Sequence, residues 1–132
     1  MIGVDTSVLV RLFVTDDPRQ SEVAKRFFTE RSAADPAYIG LVVLAELTWL
    51  LKDTYKFPHA DVLRVLKGML ASADFALERA QIAMDAVELA ESKRIDVADF
   101  IIARVAAEGG SRATMTFDGN AAKRIPGMEL LK

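Results

Sequence analysis

The chain opens with Met1-Ile2-Gly3-Val4-Asp5-Thr6-Ser7-Val8-Leu9-Val10-Arg11, and the α/β character of the whole can be argued from this stretch. The apolar run before Asp5 is too brief for a helix and reads as a strand buried on both faces. Asp5 then stands at the carboxyl end of that strand, where an open parallel sheet leaves the crevice in which ligands bind. Asp5, Thr6 and Ser7 are also ordinary helix-capping residues, so this stretch alone leaves a cap as the alternative. Recurrence of the same pattern further along favours a site.

Working outward, residues 6–13 fit a short helix. Asp16-Asp17-Pro18 fits a turn into a second helix, with Asp17 as cap and Pro18 in the first turn. Across residues 19–31, Val23, Ala24, Phe27 and Phe28 fall on one helical face. Ala33-Ala34-Asp35-Pro36 ends that helix, and Ala37-Tyr38-Ile39 is a second short strand. Residues 40–53 then read as a mostly apolar helix carrying Leu41, Leu44, Leu47, Trp49, Leu50 and Leu51, with Glu46 in its middle. A carboxylate on the buried part of such a helix is costly unless it is paired, protonated or bound to a cation. Glu46 is therefore a candidate ligand; the alternative is that it occupies the one solvated stripe such a helix keeps.

Pro58 starts another helix, with Val62, Leu63, Leu66, Met69 and Leu70 on its core face. His59, the only histidine, sits at an exposed helix start with no partner constellation for catalysis. Asp74-Phe75-Ala76-Leu77 is a third strand, followed over residues 78–92 by an amphipathic helix with Ile82, Ala86 and Leu89 in line. In Arg94-Ile95-Asp96-Val97-Ala98-Asp99-Phe100-Ile101-Ile102-Ala103, Asp96 and Asp99 are neighbours at the start of the next helix. Asp96 is the better cap and Asp99 the better ligand. Gly109-Gly110 ends this helix, and Ala113-Thr114-Met115-Thr116-Phe117 is a fourth strand. Asp118 at its carboxyl end repeats the geometry of Asp5, although Asp118-Gly119-Asn120 also suits a plain turn. Residues 128–131 make a last strand. Strands alternating with helices imply parallel pairing, right-handed crossovers and helices on both faces of a central sheet.

A chain of 132 residues is expected to form a single domain, 1–132, burying roughly two-thirds of its unfolded surface. With no cysteine, disulfides, thiolate catalysis and Cys-ligated zinc are excluded, and a reducing, cytoplasmic setting is expected. No basic segment follows Met1, so no cleavable signal is expected. The longest apolar stretch, residues 38–51, falls short of the roughly 20 residues of a membrane span, so a soluble protein is expected. Net charge is −2, from 17 basic and 19 acidic side chains. A polyanionic ligand would therefore need a local basic patch or bound cations.

Asp5 and Asp118 follow strands, while Glu46 and Asp99 lie in helices that follow strands or loops, and in a doubly wound sheet such positions converge on one crevice. Clustered carboxylates repel unless a cation neutralises them, and an all-oxygen set suits Mg²⁺ or Mn²⁺ rather than zinc. Phosphodiester hydrolysis with metal-activated water matches such a cluster best.

Val4-Asp5-Thr6-Ser7-Val8-Leu9, Glu46 in Leu-Ala-Glu-Leu, Asp99 in Asp-Val-Ala-Asp-Phe-Ile-Ile-Ala, and Thr116-Phe117-Asp118 resemble the four acidic motifs of PIN-domain ribonucleases. Length and element order resemble the toxin members of VapBC toxin-antitoxin systems. The resemblance implies a three-layer α/β/α domain with a central, mainly parallel sheet of four or five short strands. It also implies a Mg²⁺- or Mn²⁺-dependent endoribonuclease, restrained by a cognate antitoxin and usually a homodimer. Residue by residue, Asp5, Glu46, Asp99 and Asp118 would be the catalytic, metal-centred acids. Thr6 and Thr116 would be hydroxyls orienting carboxylates or phosphate. Ser7 stands where many relatives carry Asn, and Asp96 would be accessory. Arg11, Arg104, Lys123 and Arg124 follow the acidic motifs and are candidates for phosphate contact, with a solvated surface role the simpler reading of each.

Other readings are open. A structure-specific DNA nuclease of the related kind would use the same acids, and the sequence does not decide between RNA and DNA; retention of all four acidic positions argues against a silent PIN-like binding module, and metal-dependent cleavage of RNA separates the two. A haloacid-dehalogenase-like phosphatase needs a second Asp where Ser7 stands. No Gly-rich phosphate loop ending in Lys-Ser or Lys-Thr is present, which excludes P-loop hydrolysis.

Overall fold

The computed structural model describes residues 1–132 and has five short strands, each paired in parallel. The α/β class and the parallel pairing are as expected. The strands are hydrogen-bonded as a three-stranded sheet and a separate two-stranded pair. They belong to two compact units, Met1–Ala80 and Gln81–Lys132.

In the first unit, β1 (Ile2–Gly3), β2 (Ala37–Ile39) and β3 (Phe75–Leu77) form the sheet in the order β1-β2-β3. Ile2 pairs with Ala37, and Ala37 with Phe75. The expectation that the first strand is buried on both faces is corrected. Ile2 is 43% exposed and Gly3 is exposed, because β1 lies at an edge of this sheet; burial begins at Val4. Helix α1 (Thr6–Leu9) continues as a 3₁₀ turn over Val10–Leu12. Helix α2 (Pro18–Thr29) starts as expected, with Asp17 accepting the Gln20 N–H and Pro in its first turn. Val23, expected on its core face, is 55% exposed; Ser21, Ala24 and Phe28 are the buried residues. Helix α3 (Leu41–Trp49) runs into a π-helical turn, Leu50–Thr54, and α4 (His59–Ala71) leads to β3. Leu9, Ile39, Leu44, Leu47, Leu51, Leu66 and Met69 are fully buried and form the core of this unit.

The second unit contains α5 (Ala80–Ser92) from its second residue on, α6 (Val97–Glu108), β4 (Thr114–Thr116), α7 (Gly119–Arg124) and β5 (Met128–Leu130). Thr114 pairs with Met128 and Thr116 with Leu130. Gly110 ends the turn after α6 with φ 97°, a conformation that a Cβ disfavours. Helix α7 had no counterpart among the expected elements; a six-residue helix with Gly at its first position has too little periodicity to register. Asp85 on α5 and Arg104 on α6 form an ion pair at 2.8 Å. No helix in the chain is long and apolar enough to cross a membrane.

Candidate active site

The carboxyl ends of β1, β2 and β3 present Asp5, the start of α3 and Glu78 respectively, side by side because the strands are parallel. Asp5 has the backbone of an N-cap, and its carbonyl accepts the Val8 and Leu9 N–H groups at 3.0 and 3.1 Å. Its carboxylate does not cap the helix. It accepts instead one hydrogen bond, from the Ser7 hydroxyl at 2.8 Å, and the residue is exposed. The capping alternative for this side chain therefore fails, and the carboxylate is available to a ligand. Thr6 beside it is 3% exposed, and its Oγ1 has no hydrogen-bond partner. A buried hydroxyl left this way is costly unless something from outside the chain meets it.

Glu46 corrects the expectation of a buried carboxylate. Leu41, Leu44, Leu47 and Thr48 form the buried side of α3, while Val42, Glu46 and Trp49 make an exposed stripe at i, i+4 and i+7. The helix is apolar nearly all round, so its sequence did not reveal which side the chain covers. Helix α1 packs against α3, so Asp5 and Glu46 stand on two elements in contact.

Glu78 was missed as a site-proximal residue. Its Oε1 accepts the Leu41 N–H at 2.8 Å, capping α3 from 37 residues away because the Gly40 cap has no side chain to do so. A carboxylate there is favoured by the helix dipole. The signal was present in the sequence, as Phe75-Ala76-Leu77-Glu78 repeats the strand-then-acid pattern of Asp5 and Asp118.

In the second unit the acids divide by function. Asp96 is the cap of α6, accepting the Ala98 N–H at 2.9 Å, as expected. Asp99 is half-buried in the first turn of that helix. Asp118 is exposed and caps α7, its Oδ1 accepting from Asn120 and Ala121 N–H groups at 2.9 and 3.1 Å. Thr116 Oγ1 accepts the Asp118 N–H at 3.0 Å and so holds the turn rather than a carboxylate. Helix α6 packs against β4, the strand that leads to Asp118. Neither unit by itself gathers three Asp, Glu or His side chains into a set able to hold a metal ion.

The basic candidates are mostly engaged. Arg11 pairs with Asp16, which also accepts the Tyr55 hydroxyl at 3.1 Å, and Arg11 Nε donates to Gln20 at 3.1 Å. Arg104 pairs with Asp85 and lies over the Phe100 ring at 5.1 Å. Arg124 donates to the Arg94 carbonyl at 3.3 Å, and Lys123 is exposed in the last turn of α7. The Gln81 amide and then the Arg104 guanidinium hold the Asp85 carboxyl below its ordinary value.

Within the first unit, a groove of about 830 Å³ borders Asp5 and Ser7 and is lined further along by Val8, Arg11, Val23 and Phe27. The donor chemistry around Asp5 is all oxygen: a carboxylate, a hydroxyl bonded to it and a buried, unpartnered hydroxyl. This set fits a hard divalent cation of the Mg²⁺ or Mn²⁺ kind and not a thiophilic one.

A comparison with curated proteins found no match. The PIN domain family model matches residues 2–127. That span takes in Asp5, Glu46, Asp99 and Asp118 together with all the helices and nearly all the strands, and the chain belongs to the PIN domain family.

Proposed function

We propose that this protein is a metal-dependent endoribonuclease acting as the toxin of a toxin-antitoxin pair, with residues 1–132 as one nuclease domain. The observation that carries the reading is Asp5, whose carboxylate stands at the end of a parallel strand, declines the helix behind it and is held by Ser7. Membership of the PIN domain family, whose members are generally nucleases, supports this reaction class. In this reading Asp5, Glu46, Asp99 and Asp118 hold Mg²⁺ or Mn²⁺, and Thr6, Ser7, Thr116 and Asp96 fix the carboxylates and turns around them. A divalent ion bound there supplies charge neutralisation at the phosphodiester and lowers the pKa of water.

The chain's own groups do the rest. Ser7 donates to Asp5 Oδ2 and so fixes the orientation of that carboxylate. His59, expected to be exposed but half-buried at the start of α4, is the only imidazole, so the pair of histidines that would serve attack by the 2′-hydroxyl is absent. The products expected are therefore a 5′-phosphate and a 3′-hydroxyl.

An antitoxin that restrains the enzyme is expected to place apolar side chains in the groove beside Val23 and Phe27 and a basic side chain at Asp5. The exposed Val42 and Trp49 of α3 support association of two copies. A cysteine-free chain is suited to the cytoplasm, where cellular RNA and such a partner would meet it.

Mass spectrometry of fragments from a mixed RNA pool tests the mechanism. Cleavage should require Mg²⁺ or Mn²⁺, stop in chelator and fail in Asp5→Ala. A 2′,3′-cyclic phosphate that still forms under those conditions overturns the reading.

A further inference from the structure

Helix α3 is prolonged by the π-helical turn Leu50–Thr54, after which the Tyr55 N–H reaches the Leu50 carbonyl at 3.0 Å and Lys56 sits in the left-handed region at φ 59°. A left-handed backbone is unfavourable for a residue with a side chain, and a π turn inside an α-helix is found mostly at functional sites. The path this sets for the chain has a polar consequence. It brings the Tyr55 hydroxyl to Asp16 Oδ2, to which it donates at 3.1 Å, from 39 residues away in sequence.

Asp16 passes this fixation on to Arg11. Its other oxygen, Oδ1, pairs with Arg11 Nη1, while Arg11 Nε donates to Gln20 Oε1 at 3.1 Å. Residues from the turn before α2, from α2 and from the end of α3 thus hold one guanidinium, on a side chain that is 18% exposed. These bonds use the Nε–H and part of Nη1, and leave the rest of the fork for a ligand. Arg11 also lines the groove that borders Asp5 and Ser7. Ser7 and Arg11 are four residues apart on α1 and its 3₁₀ continuation, so they share one side of it. The exposed Arg19 lines the same groove, whereas the Asp17 carboxylate there accepts the Gln20 N–H as a helix cap. Beyond Asp5 the groove therefore presents cations. An Arg fork fixed in advance loses little freedom on meeting a phosphate, which it matches with two parallel bonds.

Building on the endoribonuclease reading above, we infer that Arg11 binds an RNA phosphate next to the one cleaved at Asp5, and that Tyr55, acting through Asp16, is the positioning residue that fixes its guanidinium. A structural clasp between α1, α2 and α3 is the competing use of this network, and the test separates them.

Binding of a short, labelled, unstructured RNA to the full-length protein is followed by fluorescence anisotropy in chelator over a series of KCl concentrations, and cleavage of the same RNA is followed with Mg²⁺. Arg11→Gln should lower the slope of log Kd against log [KCl] by about 0.7, the share of one single-strand phosphate. Arg11→Lys keeps the charge without the fork, and should keep the slope but bind more weakly. Tyr55→Phe removes only the hydroxyl; it should keep the slope, raise Kd and KM about three-fold, within the worth of one hydrogen bond, and leave kcat nearly unchanged. In the Arg11→Gln background, Tyr55→Phe should have no further effect on either constant. An unchanged slope in Arg11→Gln, a Tyr55→Phe loss that persists in that background, or a parent that binds no RNA at the lowest salt overturns the inference. So does a lower melting temperature in Tyr55→Phe with Kd unchanged, which leaves the network a structural clasp. If Arg11→Gln does not fold, Arg11→Lys and Tyr55→Phe decide, and a Kd equal to the parent's in both overturns the inference. If the parent protein cleaves no RNA with either metal, the endoribonuclease reading fails, and the salt slope alone decides whether Arg11 takes a phosphate.

Discussion

The Ser7 hydroxyl donates to Asp5 Oδ2 at 2.8 Å, across two residues at the start of α1. This bond holds the carboxylate of a residue in capping position away from the helix start, and in the proposed function it orients that carboxylate for the metal. Ser7→Ala should leave the melting temperature nearly unchanged, since both groups are exposed. It should cost roughly ten-fold in cleavage rate at limiting Mg²⁺, the usual effect of removing a group that orients a ligand. Titrating Mg²⁺ against initial rate checks this; a lower melting temperature with unchanged metal dependence would make the bond purely structural.

Asp118 caps α7, and substitutions can separate this from the role in the metal site that is proposed for it. Asn preserves the acceptor that caps α7, whereas Ala removes it, so Asp118→Ala should lose about 1 kcal/mol of stability and Asp118→Asn much less. Activity should fall in both, because both remove the charge. Urea unfolding and RNA cleavage on the same preparations make the comparison, and full activity in Asp118→Asn would confine this residue to capping.

Glu78 joins β3 to the start of α3 through the Leu41 N–H. Glu78→Ala leaves that partly buried donor without its acceptor and should cost about 1–3 kcal/mol. Glu78→Gln keeps an acceptor oxygen but not the charge, and should fall between Ala and the parent. Denaturant midpoints at constant m-value settle the order; parity of Glu78→Ala with the parent would show that water replaces the bond without loss.

Asp85 predicts an acid-sensitive contact. Gln81 donates to it at 2.8 Å and Arg104 pairs with it at 2.8 Å, so folding lowers the pKa of its carboxyl. A group with a depressed folded-state pKa adds stability above its unfolded value, near 4, and loses it as pH falls through the folded value. The parent should therefore melt higher than Asp85→Asn at pH 7, and the gap should close progressively below about pH 4. Melting curves from neutral to acid pH check the sign, and a gap that widens on acidification would refute it.

Strand, helix and turn order was legible because it rests on local chemistry. Pro18 behind Asp17, Gly109-Gly110 after α6 and the brief apolar runs at 37–39 and 75–77 each signal their element within a few residues. The places of Asp5 and Asp118 were legible for the same reason, since a strand followed by Asp is a short local pattern. Asp96 was also read as the cap it is.

Local pattern did not reveal which side of an apolar helix the chain covers, so Glu46 was expected among buried residues and is exposed beside Val42 and Trp49. Nor did it show whether a carboxylate in capping position caps. Asp5 and Asp118 both follow strands and precede short helices, yet Asp118 takes two backbone N–H groups and Asp5 takes the Ser7 hydroxyl. The sequence by itself determined the order of elements apart from α7, and the places where Asp5 and Asp118 meet strand ends, because those depend on neighbours along the chain. Only the tertiary structure decided that Glu78 would close α3 from 37 residues away and that Thr6 would be buried without a partner, because both depend on side chains meeting through folded space.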